Sequence, residues 1–332
     1  GKIIYRVDGG RVWGISMGHA KRALIGAKSL SKINDIIFVM KNYPDGVSYV
    51  RSAGFTVETI DNDDDTCQTM IEISKKYMPT KAIFDLRETP YEDFFSFARE
   101  KNIKTIVFDT LGNVSGQPDI IINDSFVSRF TSYSCDREST IVHTGPQYFL
   151  SDKLPKPLPL KRNISNIAIT MGGSDPAGLT EKIVRSLSFL ETTKKYNIIL
   201  GPLFCEHVEE IIRNFCHNQP QYEIYRNPSN FLEILSKQDL IMCSAGRTLY
   251  ECAYLGRPTI VIPSIEHEYV TAENYSRLTG CVNVGIWNKN TGHKILEAMR
   301  EYENLEFREE MSQLSRQLVD GKAQSRIMEI IN

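Results

Sequence analysis

Residues 151–163 read SDKLPKPLPLKRN. Three prolines and four basic side chains share a stretch with neither helical nor strand periodicity, which reads as a semi-rigid linker. The same pattern runs on both sides of it. Before it, the apolar runs KIIYRV, DIIFVM, KAIFDL, KTIVFD and PDIIIND are separated by the helical patterns GHAKRALIGAKSLSK, VSYVRSAG, CQTMIEISKKY and YEDFFSFAREKN. After it, NIAITM, YNIILG, YEIYRN, DLIMCS and PTIVIPS alternate with GLTEKIVRSLSFLE, EHVEEIIRNFCHN, NFLEILSKQ and TLYECAYLG. Strands that are apolar throughout are covered on both faces, as in a parallel sheet. Strand–helix alternation then predicts right-handed crossovers and doubly wound α/β domains. The expected division is a domain over 1–152, a linker over 153–163 and a second domain over 164–332, with a cleft between the two. The tail from residue 293 to 332 is expected to be helical throughout.

Length and composition agree. A chain of 332 residues exceeds one ordinary core and suits two domains of roughly 150 residues each. Hydrophobic residues make up 41% and charged residues 24% of it, as in globular proteins. A net charge of −2 argues against nucleic acid or an anionic membrane as the main partner. No apolar stretch approaches the ~20 residues of a membrane span, so no stable membrane insertion is expected. The opening GKIIYRVDGG reads as a strand rather than a signal peptide. Seven cysteines, at 67, 135, 205, 216, 243, 252 and 281, form no CxxC pair. They are expected as small buried hydrophobes or surface thiols in a reducing cytoplasm, and neither a disulfide framework nor a zinc site is expected.

In open α/β sheets ligands sit beyond the carboxyl ends of the strands, so the loops there carry the functional reading. After the first strand, Gly14 and Gly18 bracket a turn, and the helix starts near His19 or Ala20. A helix start suits an anion. His19 there is either a polar cap or an acid–base group, since an imidazole titrates near pH ~6.5. The turn Gly172-Gly173-Ser174-Asp175, with Pro176 near a helix start, is either a well-capped turn or a cradle of N–H groups for a diphosphate. It is neither a P-loop nor a GxGxxG motif. In Ser244-Ala245-Gly246-Arg247-Thr248, Thr248 fits an N-cap and Glu251 would complete a capping box; alternatively the helix start takes a phosphate and Glu251 a ribose. After PTIVIP, Glu266, His267 and Glu268 would either reach a sugar or stay solvated, and no HExxH is present. Asp85 and Asp109 each end a strand and would cap a turn or face a ligand. Arg87 would pair with a carboxylate or phosphate. The run DNDDD at 61–65 is expected to be solvated.

Taken in order, RVDGG…MGHAKRAL, FDLRET, FDTLGN…PDIIIND, GPQYFL, MGGSDPAGLT and SAGRTLYECAYLGRPTIV resemble one family, over about residues 3 to 285. It is the group of the pseudaminic-acid pathway UDP-sugar hydrolase and the SpsG-type spore-coat polysaccharide proteins, similar in turn to MurG-like GT-B glycosyltransferases. The resemblance implies a GT-B-like fold of two Rossmann-like parallel-sheet domains around an interdomain cleft, with UDP held mainly by the C-terminal domain. It carries the catalytic histidine to His19, the diphosphate loop to Gly172–Asp175, and the second nucleotide turn to Ser244–Thr248 with Glu251 near the ribose. Asp8, Gly18, Arg87, Asp109, Glu266, His267 and Glu268 are left on the sugar side. Two departures stand out: Leu86 or Arg87 replaces a tyrosine of the hydrolase, and Ser264–Glu268 lacks its Asn-Gln pair.

The sequence therefore predicts a cytoplasmic UDP-sugar hydrolase of nonulosonic acid or surface-polysaccharide synthesis. His19 is its base, and neither a metal nor another cofactor is expected. The alternatives are a GT-B glycosyltransferase and a non-catalytic nucleotide-sugar binding protein.

Overall fold

The computed structural model describes residues 1–10, 17–136, 138–189 and 193–332. It divides into two units, residues 1–152 with 321–332, and residues 153–320. The first contains β1 (Lys2–Val7), α1 (Gly18–Leu30), β2 (Asp35–Lys41), α2 (Pro44–Ser52), β3 (Thr56–Ile60), α3 (Cys67–Tyr77), β4 (Lys81–Asp85), α4 (Glu92–Glu100), β5 (Lys104–Phe108), β6 (Ile120–Asn123) and β7 (Ile141–Thr144). The second contains β8 (Asn166–Thr170), α5 (Leu179–Leu187), β9 (Lys195–Leu200), α6 (Glu206–Cys216), β10 (Tyr222–Arg226), α7 (Phe231–Ser236), β11 (Leu240–Cys243), α8 (Arg247–Leu255), β12 (Thr259–Val261), α9 (Glu266–Thr279), β13 (Val282–Asn283), α10 (Thr291–Glu301) and α11 (Leu305–Leu318). The last helix, α12 (Ala323–Ile331), returns to the first unit.

Each unit is one parallel sheet. The orders are β3-β2-β1-β4-β5-β6-β7 and β10-β9-β8-β11-β12-β13. Both are Rossmann-like, and in each the order reverses beside the first strand, between β1 and β4 and between β8 and β11. Central strands are buried along nearly their whole length, as in Ile3–Val7 and Ile167–Thr170, which is why they read as unbroken apolar runs. The edge strands β3 and β7 are half exposed, and neither TVETI nor IVHT gives such a run. In α1, Ala20, Ala23, Leu24, Ala27 and Leu30 recur at helical spacing and bury one face in the core.

Three expectations about the chain's course need correction. The tail is not one helix: Asn304 caps α11 through Phe307 N–H, and Gly321, at φ +76°, lies in the break before α12. The second domain does not run to residue 332. Ala323, Ile327 and Ile331 enter the first unit's core, and Lys104 Nζ donates to the last carbonyls of α12, Ile330 O at 2.8 Å and Ile331 O at 3.2 Å. Residues 153–163 count with the second unit rather than standing free. Buried Arg308 donates to Lys161 O and Arg162 O at 2.8 and 2.6 Å. Arg257 and Arg316 both reach Leu158 O. The prolines remove N–H groups, and the carbonyls left over are met by guanidinium donors.

Cys216, Cys243, Cys252 and Cys281 are buried, and all seven cysteines are free thiols. No helix among the described residues is long and apolar enough to cross a membrane.

Candidate functional site

At the first unit's switch point, α1 follows β1 in the chain, and β4 ends at Asp85. Residues 11–16, which contain Gly14, lie outside the described residues. The helix begins at Gly18, which puts His19 in its first turn, with the side chain 27% exposed. His19 Nδ1 lies 2.6 Å from Asp85 Oδ1, and Asp85 is fully buried. Arg22, one turn further along α1, grips the same carboxylate at both oxygens: Nε donates to Oδ2 at 2.8 Å and Nη2 to Oδ1 at 2.7 Å. Its third nitrogen donates to Asp124, just past β6, at 3.1 Å. Burial alone would push the Asp85 carboxyl up. The Arg22 charge and hydrogen bonds, together with His19, overcome that and hold it well below the usual carboxylate range. An ionised carboxylate only accepts, so Nδ1 carries the proton it accepts, and the Nε2 lone pair is left for chemistry.

Asp8 and Asp109 serve the scaffold here. Buried Arg6 donates to both Asp8 oxygens at 2.7 and 2.8 Å, and Lys41 N–H adds a bond at 2.8 Å. Arg6 also reaches Asp65 at 2.8 Å, and Tyr91 bonds the same carboxylate. The acidic run is thus not wholly solvated: Asp61, Asp63 and Asp64 are exposed, but Asp65 turns in to meet the buried cation. Asp109 Oδ2 accepts from Gly112 N–H at 2.7 Å and Tyr133 O–H at 2.6 Å, which fixes the loop after β5. Arg87 is exposed and makes no hydrogen bond or ion pair among the described residues. The structure thus separates the two strand-ending carboxylates: Asp85 touches His19 and Asp109 does not.

At the second unit's switch point the loops after β8, β11 and β12 converge. A Cβ built on Gly172 would stand 3.7 Å from Ser244 Oγ, and one on Gly246 3.8 Å from Glu268 Oε1. Gly172 has φ +79°, and Gly173 and Ser174 are exposed beside it. Asp175, at φ +46°, is buried and accepts from Leu179 N–H and Thr180 N–H, both at 2.8 Å. It therefore holds the first amides of α5, which starts at Leu179, one residue past the expected start at Gly178 and with Pro176 ahead of it. The α8 start differs from expectation. Gly246, extended, is its N-cap, no side chain caps it, and Thr248 lies inside the helix beside buried Ser244 and Ala245. No capping box forms, because the turn leaves β11 sooner than the Thr248 reading assumes. The start of α8, at Arg247 and Thr248, presents the positive end of a helix dipole and suits an anion. Glu251, half-buried, follows on the same helix. Glu268 Oε2 accepts from Ser264 N–H at 2.7 Å. A carboxylate beside Gly246 complements hydroxyl groups, whereas the helix start complements phosphate oxygens. Glu266 and His267 are exposed on the first turn of α9. Among the described residues no group of three or more His, Cys, Asp or Glu is placed to hold a metal ion.

Residues 167–325 match the glycosyltransferase family 28 C-terminal domain. An uncharacterized protein of Methanocaldococcus jannaschii is 29% identical over 288 residues, covering 82% of this chain. The chain spans 58% of the length of that relative. The spore coat polysaccharide biosynthesis protein SpsG of Bacillus subtilis is 23% identical over 255 residues, 75% of either chain. Among solved structures, MurG of Acinetobacter baumannii superposes with a TM-score of 0.70 at 16% identity, over 100% of this chain and 99% of MurG. Anabaena HepE in complex with UDP-glucose gives 0.59 at 11% identity, over 99% and 98%. The chain has the GT-B fold of two Rossmann-like units, and its second unit is glycosyltransferase-like.

Proposed function

We propose that the chain is a GT-B glycosyltransferase that moves a sugar from a UDP-sugar donor to a hydroxyl acceptor, in polysaccharide or related surface-glycan synthesis. The observation that carries this reading is the 2.6 Å contact of His19 Nδ1 with buried Asp85. A ring anchored at one nitrogen is a positioned base at the other. His19 Nε2 takes the acceptor's proton as that oxygen attacks the anomeric carbon. The anomeric C–O bond breaks, and UDP leaves with the electron pair. Asp85 steadies the imidazolium. The α8 start, with Gly172–Ser174, meets the charge growing on the diphosphate, and preorganised donors of this kind are usually the largest electrostatic contribution. Glu268 and Glu251 accept from sugar or ribose hydroxyls. The family 28 match over the second unit and the UDP-glucose complex of HepE support the donor class, and SpsG supports the polysaccharide setting.

With water in place of the acceptor the same groups give a UDP-sugar hydrolase. That second reading is favoured by the likeness at Gly18–His19 and GPQYFL. One experiment separates the two: UDP release from a panel of UDP-sugars, with and without saccharide acceptors, in the native protein and His19→Ala. Release that requires an acceptor supports the transferase, and release without one the hydrolase. Tight UDP binding with no turnover leaves a binding protein. His19→Ala should lose a factor of ~10² or more in turnover with UDP affinity unchanged. Unchanged turnover removes His19 from the reaction.

A further inference from the structure

We infer that Arg22 sets the tautomer of His19 by keeping Asp85 an obligate acceptor, so that Arg22 is a positioning residue of the reaction. The inference rests on the reading of His19 as the base. The arrangement exceeds what holding a helix to a sheet requires. Arg22 and Asp124 are 5% and 4% exposed and Asp85 is fully buried. All three guanidinium nitrogens are engaged, two on Asp85 and one on Asp124. The guanidinium lies over the Phe108 ring, 5.5 Å from its centroid. Asp124 thus turns the guanidinium plane so that its other edge fits Asp85 bidentately.

Among the described residues the groups facing Asp85 are few. From α1 come His19 and Arg22, from β1 comes Tyr5, and Asp124 lies beyond Arg22. Tyr5 is buried, and its hydroxyl has no hydrogen-bond partner among the described residues. Burial and the Asp85 charge push its phenol up, so it stays neutral. Among the described residues Arg22 is therefore the permanent cation against Asp85. Without it, a buried carboxylate next to a second one takes up a proton. A protonated Asp85 O–H then donates to the Nδ1 lone pair, and the imidazole proton resides on Nε2. The nitrogen that should accept becomes a donor, and the base is lost although every residue of the His–Asp pair remains.

The test is histidine-15N spectroscopy of the full chain, with the His19 signal assigned by its loss in His19→Asn. In the native protein the neutral ring should show a protonated Nδ1 and a lone-pair Nε2. In Arg22→Met the two should exchange. Arg22→Lys, which keeps a cation, should hold the native tautomer. Arg22→Gln, neutral but able to donate, gives the same reading as Arg22→Met should that variant fail to fold. Turnover of the neutral variants should fall ~10²- to 10⁴-fold with KM nearly unchanged, the range seen when a base is held in its wrong tautomer. A neutral variant that keeps the proton on Nδ1 overturns the inference, and Arg22 is then packing alone. Exchange of the tautomer with undiminished turnover upholds it and instead defeats the assignment of His19 as base.

Discussion

Gly201 leaves no room for a single added carbon. A Cβ there would stand 2.5 Å from Gly172 O, and equally close to Gly173 Cα and Gly173 O, all main-chain atoms. Leu203 N–H also bonds Gly173 O, at 2.9 Å, so the loop after β9 packs against the Gly172–Gly173 turn. Gly201→Ala should cost roughly 1–3 kcal/mol by overpacking and weaken UDP binding, because relief requires the Gly172–Gly173 turn to move. Thermal melting and a UDP titration check this, and an unchanged affinity would show that the turn is not the site. At this scale the sequence was partly legible. His19 stood out because a lone imidazole at a strand-to-helix junction is a poor core residue. Asp85 and Asp109 looked alike, each closing an apolar strand, and only the contacts to His19 and to Gly112 and Tyr133 tell them apart. Arg22 was invisible, since an arginine beside Lys21 on a helix reads as solvated until three-dimensional partners bury it.

Among the elements, the proline strap is where sequence reasoning fell shortest. Composition marked residues 153–163 as irregular, correctly, but irregular backbone is not loose backbone when donors arrive from far along the chain. Arg308 is separated from Lys161 by well over a hundred residues, and no local pattern couples them. Charged hydrogen bonds are worth about 1.5–3 kcal/mol each. Arg308→Met, which removes two of them, should therefore destabilise the second unit by roughly 3–6 kcal/mol and open the strap to proteolysis between 153 and 163, while leaving the first unit's protection intact. Limited proteolysis with mass spectrometry reads both. Equal susceptibility in the two proteins would mean that Arg257 and Arg316 suffice. The edge strands β3, β7 and β13 escaped detection for a different reason: the continuous apolar run is a signature of burial on both faces, which an edge lacks.

For the whole molecule, acid should act on one half first. Among the described residues three carboxyls, Glu58, Asp65 and Asp85, are held below their ordinary range, and all lie in the first unit. Glu58 is lowered by the Tyr77 and Lys76 contacts; Asp65 and Asp85 are lowered by Arg6 and by Arg22 against the opposing pull of burial. A group of lowered native pKa contributes its stability above the unfolded value, and that contribution is lost as pH falls through the native one. Unfolded carboxyls titrate near pH ~4, so the first unit should weaken below about that pH as the unfolded chain takes up protons sooner. Hydrogen exchange at pH 3 and pH 7 should show protection falling in β1, β4 and α1 before β8 and β11. Uniform loss would place the acid sensitivity elsewhere.

The return of α12 gives the molecule the topology of an inset. Residues 153–320 are one uninterrupted run, whereas their host is written in two separated passages. A recombination that exchanged the second unit would need crossovers at both margins of the inset. One that swapped everything downstream of the strap would strip Ala323, Ile327 and Ile331 from the recipient's own core. Chimeras of this architecture should be spliced as cassettes, with the terminal helix kept in the lineage of the histidine-bearing half.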